Sequence, residues 1–391
     1  MKTLAATGSV FLLLLSGAPA FAGGLSTPGQ GARALGMASA FTAVADDGSA
    51  VYYNPAGISQ IDGTVLAAGL AAISPELRYT TAGGANETSD KKALAPAFFL
   101  TRRLTDKLSA GLGVYAPYAR DAELQDDLVN GFAWQRSKMV RTDLSAVASW
   151  KMNDTFSFGG GLVAGFSQVD RSIPAGPGVR IADKVDGTGF GGIVGLLWKA
   201  GDRLTAGATY RSGMSIDHDG QRTMTIAGVA TTSNARTEVR YPASFGLGIA
   251  FAPSENLTLA LDVDWYGWSS MDQVTTRTDI WPDSTTQLKA GNSRDVRIGG
   301  EYRLPAGWSL RAGYAYIQGA FPNTHITPSQ PDGDGHELAL GAGRIVGNWR
   351  IDFAYQNTVA REQDGAGNIF GYNGKQNIRQ HVLGLTAGYR F

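Results

Sequence analysis

The stretch HVLGLTAGYRF, residues 381–391, alternates apolar residues with small or polar ones over its whole length. In an extended strand this alternation puts Leu383 and Leu385 on one face and Arg390 on the other. The same period recurs along the chain, as in NWRIDFAYQ at 348–356, where charged residues stand mid-strand opposite an apolar face. The pattern therefore predicts β-strands whose two faces lie in different surroundings.

The connections between the predicted strands alternate between short and long. The short ones are residues 151–154, 199–202, 252–256, 305–307 and 346–348. The long ones are residues 120–131, 173–186, 220–236, 276–292, 321–335 and 362–377. A bacterial outer-membrane barrel has this arrangement, with short periplasmic turns and longer extracellular loops. A β-sandwich, whose polar face meets bulk water, has no reason to sort its loops by length.

The predicted fold class is all-β, a 14-stranded antiparallel transmembrane β-barrel, whose even strand number leaves both termini on one side. The aromatic residues near the short turns support it, because amphipathic rings favour the headgroup level; they are Trp150, Trp198, Trp308, Trp349 and Phe391. The predicted strands are residues 62–80, 91–102, 107–119, 132–150, 155–172, 187–198, 203–219, 237–251, 257–275, 293–304, 308–320, 336–345, 349–361 and 378–391.

The first 22 residues have the composition of a secretory signal peptide. Lys2 supplies the positive charge, VFLLLLSGA the apolar core, and AFA the small residues of a cleavage site. We predict cleavage after Ala22, which makes Gly23 the mature N-terminus. The apolar run is too short for a transmembrane anchor, and no run of about 18 apolar residues follows it.

The overall composition narrows the possible partners. The 34 basic and 34 acidic residues balance, so charge gives no argument for nucleic acid as a partner. The chain has no cysteine, which excludes disulfides and thiolate metal ligands, and we expect neither a cofactor nor a metal site. Stability must then come from a closed architecture, and the 52 glycines fit a β-rich chain with many turns.

The histidines give little support to an enzyme. His381 has the lipid-facing parity of the last strand, and Leu383 stands where a nucleophilic serine on the same face would be needed. His218 lies between Asp217 and Asp219 near a predicted outer rim, where a solvated loop histidine is the simpler interpretation. We therefore predict no catalytic residue and no enzymatic activity.

Residues 23–61 differ from the rest of the chain. They are rich in small residues and not strand-like, yet they carry apolar residues such as Phe41 that need a place to be buried. Asn54 followed by Pro55 is typical of a helix start. Packed inside the barrel, this segment is a plug, which argues against an open general porin. The predicted organisation is signal peptide 1–22, plug 23–61 and barrel 62–391.

The segment GARALGMASAFTAVADDGSAVYYNPAGISQI, residues 31–61, resembles the N-terminal hatch of the FadL-type long-chain fatty-acid transporters of the outer membrane. That family also includes channels for aromatic hydrocarbons. Stretches at 209–220, 241–269 and 294–316 are similar to it as well, so the resemblance extends over most of the mature chain. The hallmark Asn-Pro-Ala near the end of the hatch is matched by Asn54, Pro55 and Ala56, followed by Gly57.

The resemblance implies a mechanism. A hydrophobic ligand is captured among the extracellular loops, movement of the hatch terminus follows, and the ligand leaves through a lateral gap near a kink in the third strand. Pro117 and Tyr118 are the kink candidates, although Pro117 could simply end the strand. Some members hold the ligand carboxylate with basic residues, which makes Arg171 and Arg294 candidate ligand contacts; solvated rim charges are the alternative.

The resemblance implies long-chain fatty acids as the first expected substrate. The loop IPAGPGVRIADKVDG, residues 173–187, is shorter and less apolar than expected of fatty-acid-specific members. An aromatic hydrocarbon channel therefore stays open, as does a surface adhesin or structural barrel without transport. The expected partners are hydrophobic small molecules and outer-membrane lipid, and the expected state is a monomer in the outer membrane of a Gram-negative bacterium.

Overall fold

The computed structural model describes residues 23–81, 83–84, 86–89, 92–124, 135–176, 178–327 and 330–391. The predicted signal peptide lies outside these residues. No helix in the described part of the chain is long and apolar enough to cross a membrane.

Antiparallel strands close into a single barrel, in which β1 pairs with β20 from Val65–Arg390 to Thr81–Gly374. The prediction of a closed 14-stranded barrel is confirmed. Twenty strand segments are numbered here, because three wall strands are each divided in two and three short segments lie in the connections. The strands are β1 (Thr64–Thr81), β2 (Asn86–Ser89), β3 (Ala93–Arg103), β4 (Leu108–Leu124), β5 (Gln135–Lys151), β6 (Phe156–Gly176), β7 (Val179–Lys199), β8 (Leu204–Arg211), β9 (Met214–Ile226), β10 (Val229–Tyr241), β11 (Ser244–Ser254), β12 (Leu257–Tyr266), β13 (Gln273–Thr278), β14 (Ser284–Gln287), β15 (Ser293–Arg303), β16 (Trp308–Ile317), β17 (Gly335–Val346), β18 (Trp349–Ala360), β19 (Gln363–Asp364) and β20 (Gly374–Arg390).

The two-residue period explains how the wall faces two environments. On β18, Ile351 and Phe353 are each 49% exposed on the outer face, whereas Asp352 between them is buried. Strand β12 repeats this arrangement, with an outward Leu261 next to a buried Asp262. The outer face is therefore apolar and the lumen carries charge, which is the reverse of a soluble barrel.

The connections differ at the two ends of the barrel. At one end the strands are joined by residues 104–107, 152–155, 200–203, 255–256, 304–307 and 347–348. At the other end the prediction of loops at 173–186 and 220–236 is wrong. Strand β6 continues to Gly176 and β7 already begins at Val179, so the two form a long hairpin. Strands β9 and β10 form a second hairpin over the other predicted loop. Cross-strand pairing between β7 and β9 extends the wall at this end, since backbone hydrogen bonds need no apolar face.

The residues before β1 fold inside the barrel. They form two short helices, α1 (Ala32–Leu35) and α2 (Ala50–Tyr53), and a 3-10 helix, η1 (Pro55–Gln60). Almost every residue from Ala32 to Ile61 is buried, and η1 packs against the inner face of β5, β6 and β7. Two further 3-10 turns, η2 (Trp268–Met271) and η3 (Pro305–Gly307), lie in connections between strands. The lumen is therefore filled by a plug.

Leu385 lies on the outer face of β20, where it is 54% exposed and pairs with Leu70 and Phe353 of the neighbouring strands. We expect Leu385→Arg to reduce the yield of folded barrel, because an arginine facing lipid near the bilayer midplane costs about 2–4 kcal/mol. Heat-modifiable migration on a gel and urea unfolding in liposomes measure this loss. The control is Leu385→Phe, which keeps the face apolar and should fold like the parent; an arginine variant of parental stability would contradict the outward assignment.

Candidate functional site

The Asn-Pro-Ala motif fastens the plug to the wall. Asn54 is fully buried and caps η1, its Oδ1 accepting a hydrogen bond from the Ala56 amide at 3.1 Å. Its Nδ2 donates to the carbonyl of Thr42 at 2.9 Å within the plug and to that of Leu196 on β7 at 3.0 Å. The motif thus begins a short helix, as Asn-Pro predicts, and that helix is held by a wall strand.

Wall glycines let this motif come close to the barrel. A Cβ on Gly195 would lie 2.0 Å from Oδ1 of Asn54, and one on Gly159 would lie 2.4 Å from the backbone of Pro55 and Ala56. Within the plug, a Cβ on Gly57 would meet the carbonyl oxygen of Ala45 at 2.0 Å. The close contact between plug and wall therefore requires glycine at these positions, because any larger side chain would overlap with the motif.

A buried ion network joins the plug to a second part of the wall, at β15 and β16. The guanidinium of Arg33 on α1 donates from Nε and Nη2 to both carboxylate oxygens of Glu301 on β15, at 2.8 and 2.9 Å. Arg33 also pairs with Asp46 within the plug, and Arg311 on β16 donates to Glu301 at 2.7 Å. Bidentate geometry of this kind fixes orientation as well as charge.

The wall is interrupted at β4. Among the described residues, the ladder between β3 and β4 ends at Phe98–Val114, and the pairing of β4 with β5 shifts register between Tyr115 and Tyr118. From Tyr115 to Ala122 every residue of β4 is buried, whereas a wall strand buries alternate residues. Strand β4 is therefore irregular at Pro117 and Tyr118, where it stays paired with β5 but not with β3. That this irregularity is the kink of a lateral gate stays a prediction.

Strands β3 and β4 separate here, and each of them carries a proline on its free edge: Pro96 on β3 and Pro117 on β4. Proline has no N–H to donate to a ladder, so it favours strand edges and irregularities. Beyond Pro117, Ala119 belongs to one buried cluster with Ile73 of β1 and Val382 of β20, whose side chains face the lumen. The end of β4 therefore has lumen-facing neighbours on β1 and β20, while it stays paired with β5.

The N-terminal tail, residues 23–27, pairs with the freed edge of β4. The Thr27 amide donates to the Pro117 carbonyl at 3.0 Å, and the Ala119 amide donates to the Leu25 carbonyl at 3.2 Å. Ser26 forms an antiparallel bridge with Tyr118 between them. The tail therefore takes the place that β3 leaves empty.

The start of this tail is held by Asp332, in the connection between β16 and β17. One oxygen of its buried carboxylate accepts from the Gly24 amide at 3.1 Å, and the other accepts from the amides of Ala320 and Phe321 at 2.6 and 2.9 Å. Burial raises the pKa of Asp332 to about 6. Gly23, the predicted mature N-terminus, is the first described residue and is itself buried.

Aromatic side chains gather above the kink. Tyr118 lies 5.2 Å from Tyr241 and 5.8 Å from Trp268 between ring centroids, and Trp268 contacts Phe321. Leu25 of the tail belongs to the same buried cluster. Below it lies a cavity of about 100 Å³, lined by the tail, by Pro117 and Tyr118, and by charged wall residues that include Arg211, Asp264, Asp295, Arg297 and Glu337.

The two candidate ligand contacts lie on different faces. Arg171 pairs with Asp183 at 2.6 Å on the lumen side, and the buried Arg222 pairs with the same carboxylate at 2.6 Å. Arg294 alternates with buried Asp295 and is exposed on the outer face, so the structure does not bring it near Arg171. A ligand contact by either residue stays a prediction.

His218 is buried, and its expected placement in a solvated loop is wrong. Its Nε2 lies 2.7 Å from the hydroxyl of Ser167, and its Nδ1 lies 3.0 Å from the carbonyl oxygen of Ile216. Asp217 and Asp219 point to the opposite, exposed face, because neighbours in a strand alternate. His381 lies on the outer face, with Nδ1 2.8 Å from the Tyr355 hydroxyl.

Sequence reasoning missed several residues of this site. Arg33 and Glu301 are far apart in the chain, and only the mid-strand position of Glu301 marks it as facing the lumen. Asp332 lies in the Gly- and Asp-rich stretch PDGDG, residues 331–335, which is typical of a loop. Trp268 follows β12 directly, and nothing in its neighbourhood shows that the chain turns inward there.

A plugged antiparallel barrel with a charged lumen and an interrupted wall ladder defines the class of outer-membrane transport barrels. The chain belongs to the outer membrane protein transport protein family (OMPP1/FadL/TodX), which it matches over residues 13–391. Its resemblance to the FadL-type proteins is thereby confirmed, and so is the outer membrane as its location.

Curated relatives align over most of the chain. A putative outer membrane protein of Neisseria meningitidis serogroup B is 25% identical over 468 residues, covering 100% of this chain and 98% of the relative. A long-chain fatty acid transport protein of Escherichia coli O6:H1 is 23% identical over 351 residues, covering 77% of this chain and 78% of the relative.

Two solved structures share the fold. A Pseudomonas aeruginosa FadL homologue superposes with a TM-score of 0.83 at 21% identity, covering 94% of this chain and 100% of its own. The toluene transporter TodX of Pseudomonas putida superposes with a TM-score of 0.79 at 18% identity, covering 93% and 99%.

We expect Arg33→Met to loosen the plug while the barrel stays closed. Leaving a buried charge without any partner costs about 3–5 kcal/mol, and the cost is smaller here because Glu301 keeps Arg311. The plug still loses its bidentate bond to the wall, and Asp46 loses its arginine. Faster amide exchange in residues 31–61, at unchanged heat-modifiable migration, measures the loosening. The matched control is Arg303→Met, which removes an exposed arginine 3.9 Å from the same Glu301 carboxylate; equal effects of the two variants would refute the role of the buried pair.

We expect Gly195→Ala to displace the Asn-Pro-Ala motif, because the added methyl overlaps with Asn54. The observable is protease sensitivity of the plug in folded, detergent-solubilised protein. Gly192→Ala is the matched control on the same strand, since its nearest atom, the Gly161 carbonyl oxygen, is 3.4 Å away. Resistance of both variants to protease would show that the close approach at Gly195 is unimportant for docking.

Proposed function

We propose that this chain is an uptake channel for hydrophobic compounds, with long-chain fatty acids as its first substrate, and that the compound leaves sideways between β3 and β4. The observation that carries the proposal is the interrupted ladder at Phe98–Val114, where the tail alone bridges the edge of β4. The buried plug occupies the lumen, which supports a lateral path over an open aqueous pore.

Lateral exit suits an apolar solute. Each Å² of apolar surface removed from water contributes roughly 25 cal/mol, so a path into lipid keeps a gain that a water-filled pore would forfeit. The aromatic cluster of Tyr118, Tyr241 and Trp268 supplies an apolar region next to the tail, directly above the kink. Entry from the loops and exit into the bilayer then need only the tail to move.

The charge at the mouth of the lumen favours an acid over a neutral hydrocarbon. Arg171 and Arg222 share the single carboxylate of Asp183, which leaves positive charge for an anionic head group. The Escherichia coli relative is named for long-chain fatty acid transport. The aromatic rings around Trp268 favour the second candidate, a monoaromatic hydrocarbon, which matches the toluene transport named for the Pseudomonas putida protein.

A disulfide can test whether the tail must move. Ser26 and Tyr118 are bridge partners, and antiparallel partners lie about 4.5–5.5 Å apart between Cα atoms, within reach of a disulfide. The chain has no cysteine of its own, so Ser26→Cys with Tyr118→Cys gives one defined cross-link. We expect oxidised cells to lose uptake of radiolabelled oleate and toluene, and reduction to restore it, because the locked tail keeps the lateral path blocked.

The control cross-link joins Ala110→Cys and Ala148→Cys, a ladder pair in the intact part of the β4–β5 wall. It should leave uptake unchanged in both redox states. Full uptake through the oxidised tail lock would refute exit past the tail. A parent chain that supports uptake of neither compound, in a host without its own channel, would instead favour the adhesin or structural alternative.

A further inference from the structure

The outer face of β20 gives a scale for height in the membrane. The ring of Tyr389 packs at a tilt against Trp349 at the short-turn end, with centroids 4.9 Å apart. Arg379 lies ten residues away from Tyr389 along the same strand. With a rise of about 3.3 Å per residue and a strand tilt of about 40°, ten residues span roughly 25 Å along the membrane normal. This equals the height of the apolar band of such barrels. Arg379 therefore stands at the headgroup level of the extracellular leaflet.

Three exposed arginines meet at this level. In the ladder between β1 and β20, Arg78 pairs with Asn377, and Arg379 follows two residues later on the same face. Arg361 follows β18 directly, two residues beyond Val359, the ladder partner of Arg379. Cross-strand neighbours lie about 5 Å apart and diagonal ones about 7–8 Å, so the three side chains can converge on one group.

We call these three arginines the outer triad. In the described parts of the chain, neither Arg78 nor Arg361 nor Arg379 forms an ion pair with a carboxylate. The contrast lies on the other side of the barrel, where the exposed arginines of β10 are paired, Arg236 with Asp219 and Arg240 with Glu238.

The surrounding charges leave the patch basic. Glu76 is exposed opposite Arg379 in the ladder, and Lys375 holds Glu362 at 2.8 Å. Asp334 also adjoins the patch, since its carbonyl oxygen accepts from the Arg361 amide at 2.7 Å, and its carboxylate accepts from the Tyr316 hydroxyl. Three acidic residues, Glu76, Asp334 and Glu362, thus face four basic ones, the outer triad and Lys375. Just below, the hydroxyl of Tyr355 lies 2.8 Å from Nδ1 of His381, a polar pair suited to the interface.

We propose that the outer triad binds a phosphate group of the phosphorylated glycolipid that forms the extracellular leaflet of the outer membrane. Guanidinium groups match phosphate geometry with paired N–H donors, and several of them around one phosphate give a site rather than a diffuse attraction. The leaflet supplies this ligand at the height where the triad stands. The site lies on the lipid-facing wall, so it is independent of the compound that the channel carries.

The test compares binding of bis-phosphorylated lipid A and its enzymatically dephosphorylated form to the full purified chain, measured by native mass spectrometry in detergent. We expect the parent to prefer the phosphorylated lipid, and Arg78→Gln with Arg361→Gln and Arg379→Gln to weaken that binding by about tenfold or more, because charge-assisted contacts are lost. Heat-modifiable migration confirms that the variant is folded.

The matched control is Arg236→Gln with Arg240→Gln and Arg277→Gln, three exposed arginines that each pair with a carboxylate. It should bind lipid A like the parent. Unchanged binding by the triad variant, equal binding of the two lipids by the parent, or an equal loss in the control would overturn the proposal. Displacement of the lipid by inorganic phosphate alone would also overturn it, since that marks a simple anion site.

Discussion

Inside a bilayer every backbone N–H and C=O group needs a hydrogen-bond partner, because lipid offers none. A closed ladder satisfies this demand from β4 round to β3, through the β1–β20 seam. The β3–β4 junction breaks the rule above Val114, and the break is compensated by the tail, whose backbone takes over the Pro117 carbonyl and the Ala119 amide. The interruption in the wall and the position of the tail are therefore one structural feature.

The same constraint shapes the lumen. Charges that alternate with lipid-facing residues must point inward, where they would be buried without partners if the barrel were not filled. The plug supplies those partners: Asp262 accepts from the amides of Phe41 and Thr42, and Arg297 donates to the carbonyl of Ala38. The mid-strand charges thus hold the plug in place, and the plug in turn neutralises them. This explains why residues rich in alanine and glycine can dock without a large apolar core of their own.

The features that could be predicted from the sequence are those that contact with the bilayer requires. Strand parity, the barrel and the aromatic residues near the short turns follow from a two-residue period that lipid enforces. The hairpins at 173–186 and 220–236 extend past the bilayer, so lipid does not require an apolar face on their strands. Their sequences lack the alternating pattern, which is why the sequence predicts loops there. His218 is a single-residue example of a wrong prediction. Its acidic neighbours suggest a solvated loop, but strand alternation places its side chain inside the barrel, next to Ser167. The meeting of Arg33 with Glu301 depends on tertiary packing that no local pattern carries.

The strengths of these contacts identify which part of the lumen opens more easily. The plug is held by a buried bidentate ion pair between Arg33 and Glu301, and by close contacts with wall glycines such as Gly195. The tail is held by a few hydrogen bonds of about 1 kcal/mol net each, to the edge of β4 and to Asp332. Local opening takes place where the stabilising contacts are fewest. A ligand that replaced Leu25 in the aromatic cluster would therefore need only a modest binding advantage to release the tail, and the docked plug would keep the lumen closed to water meanwhile.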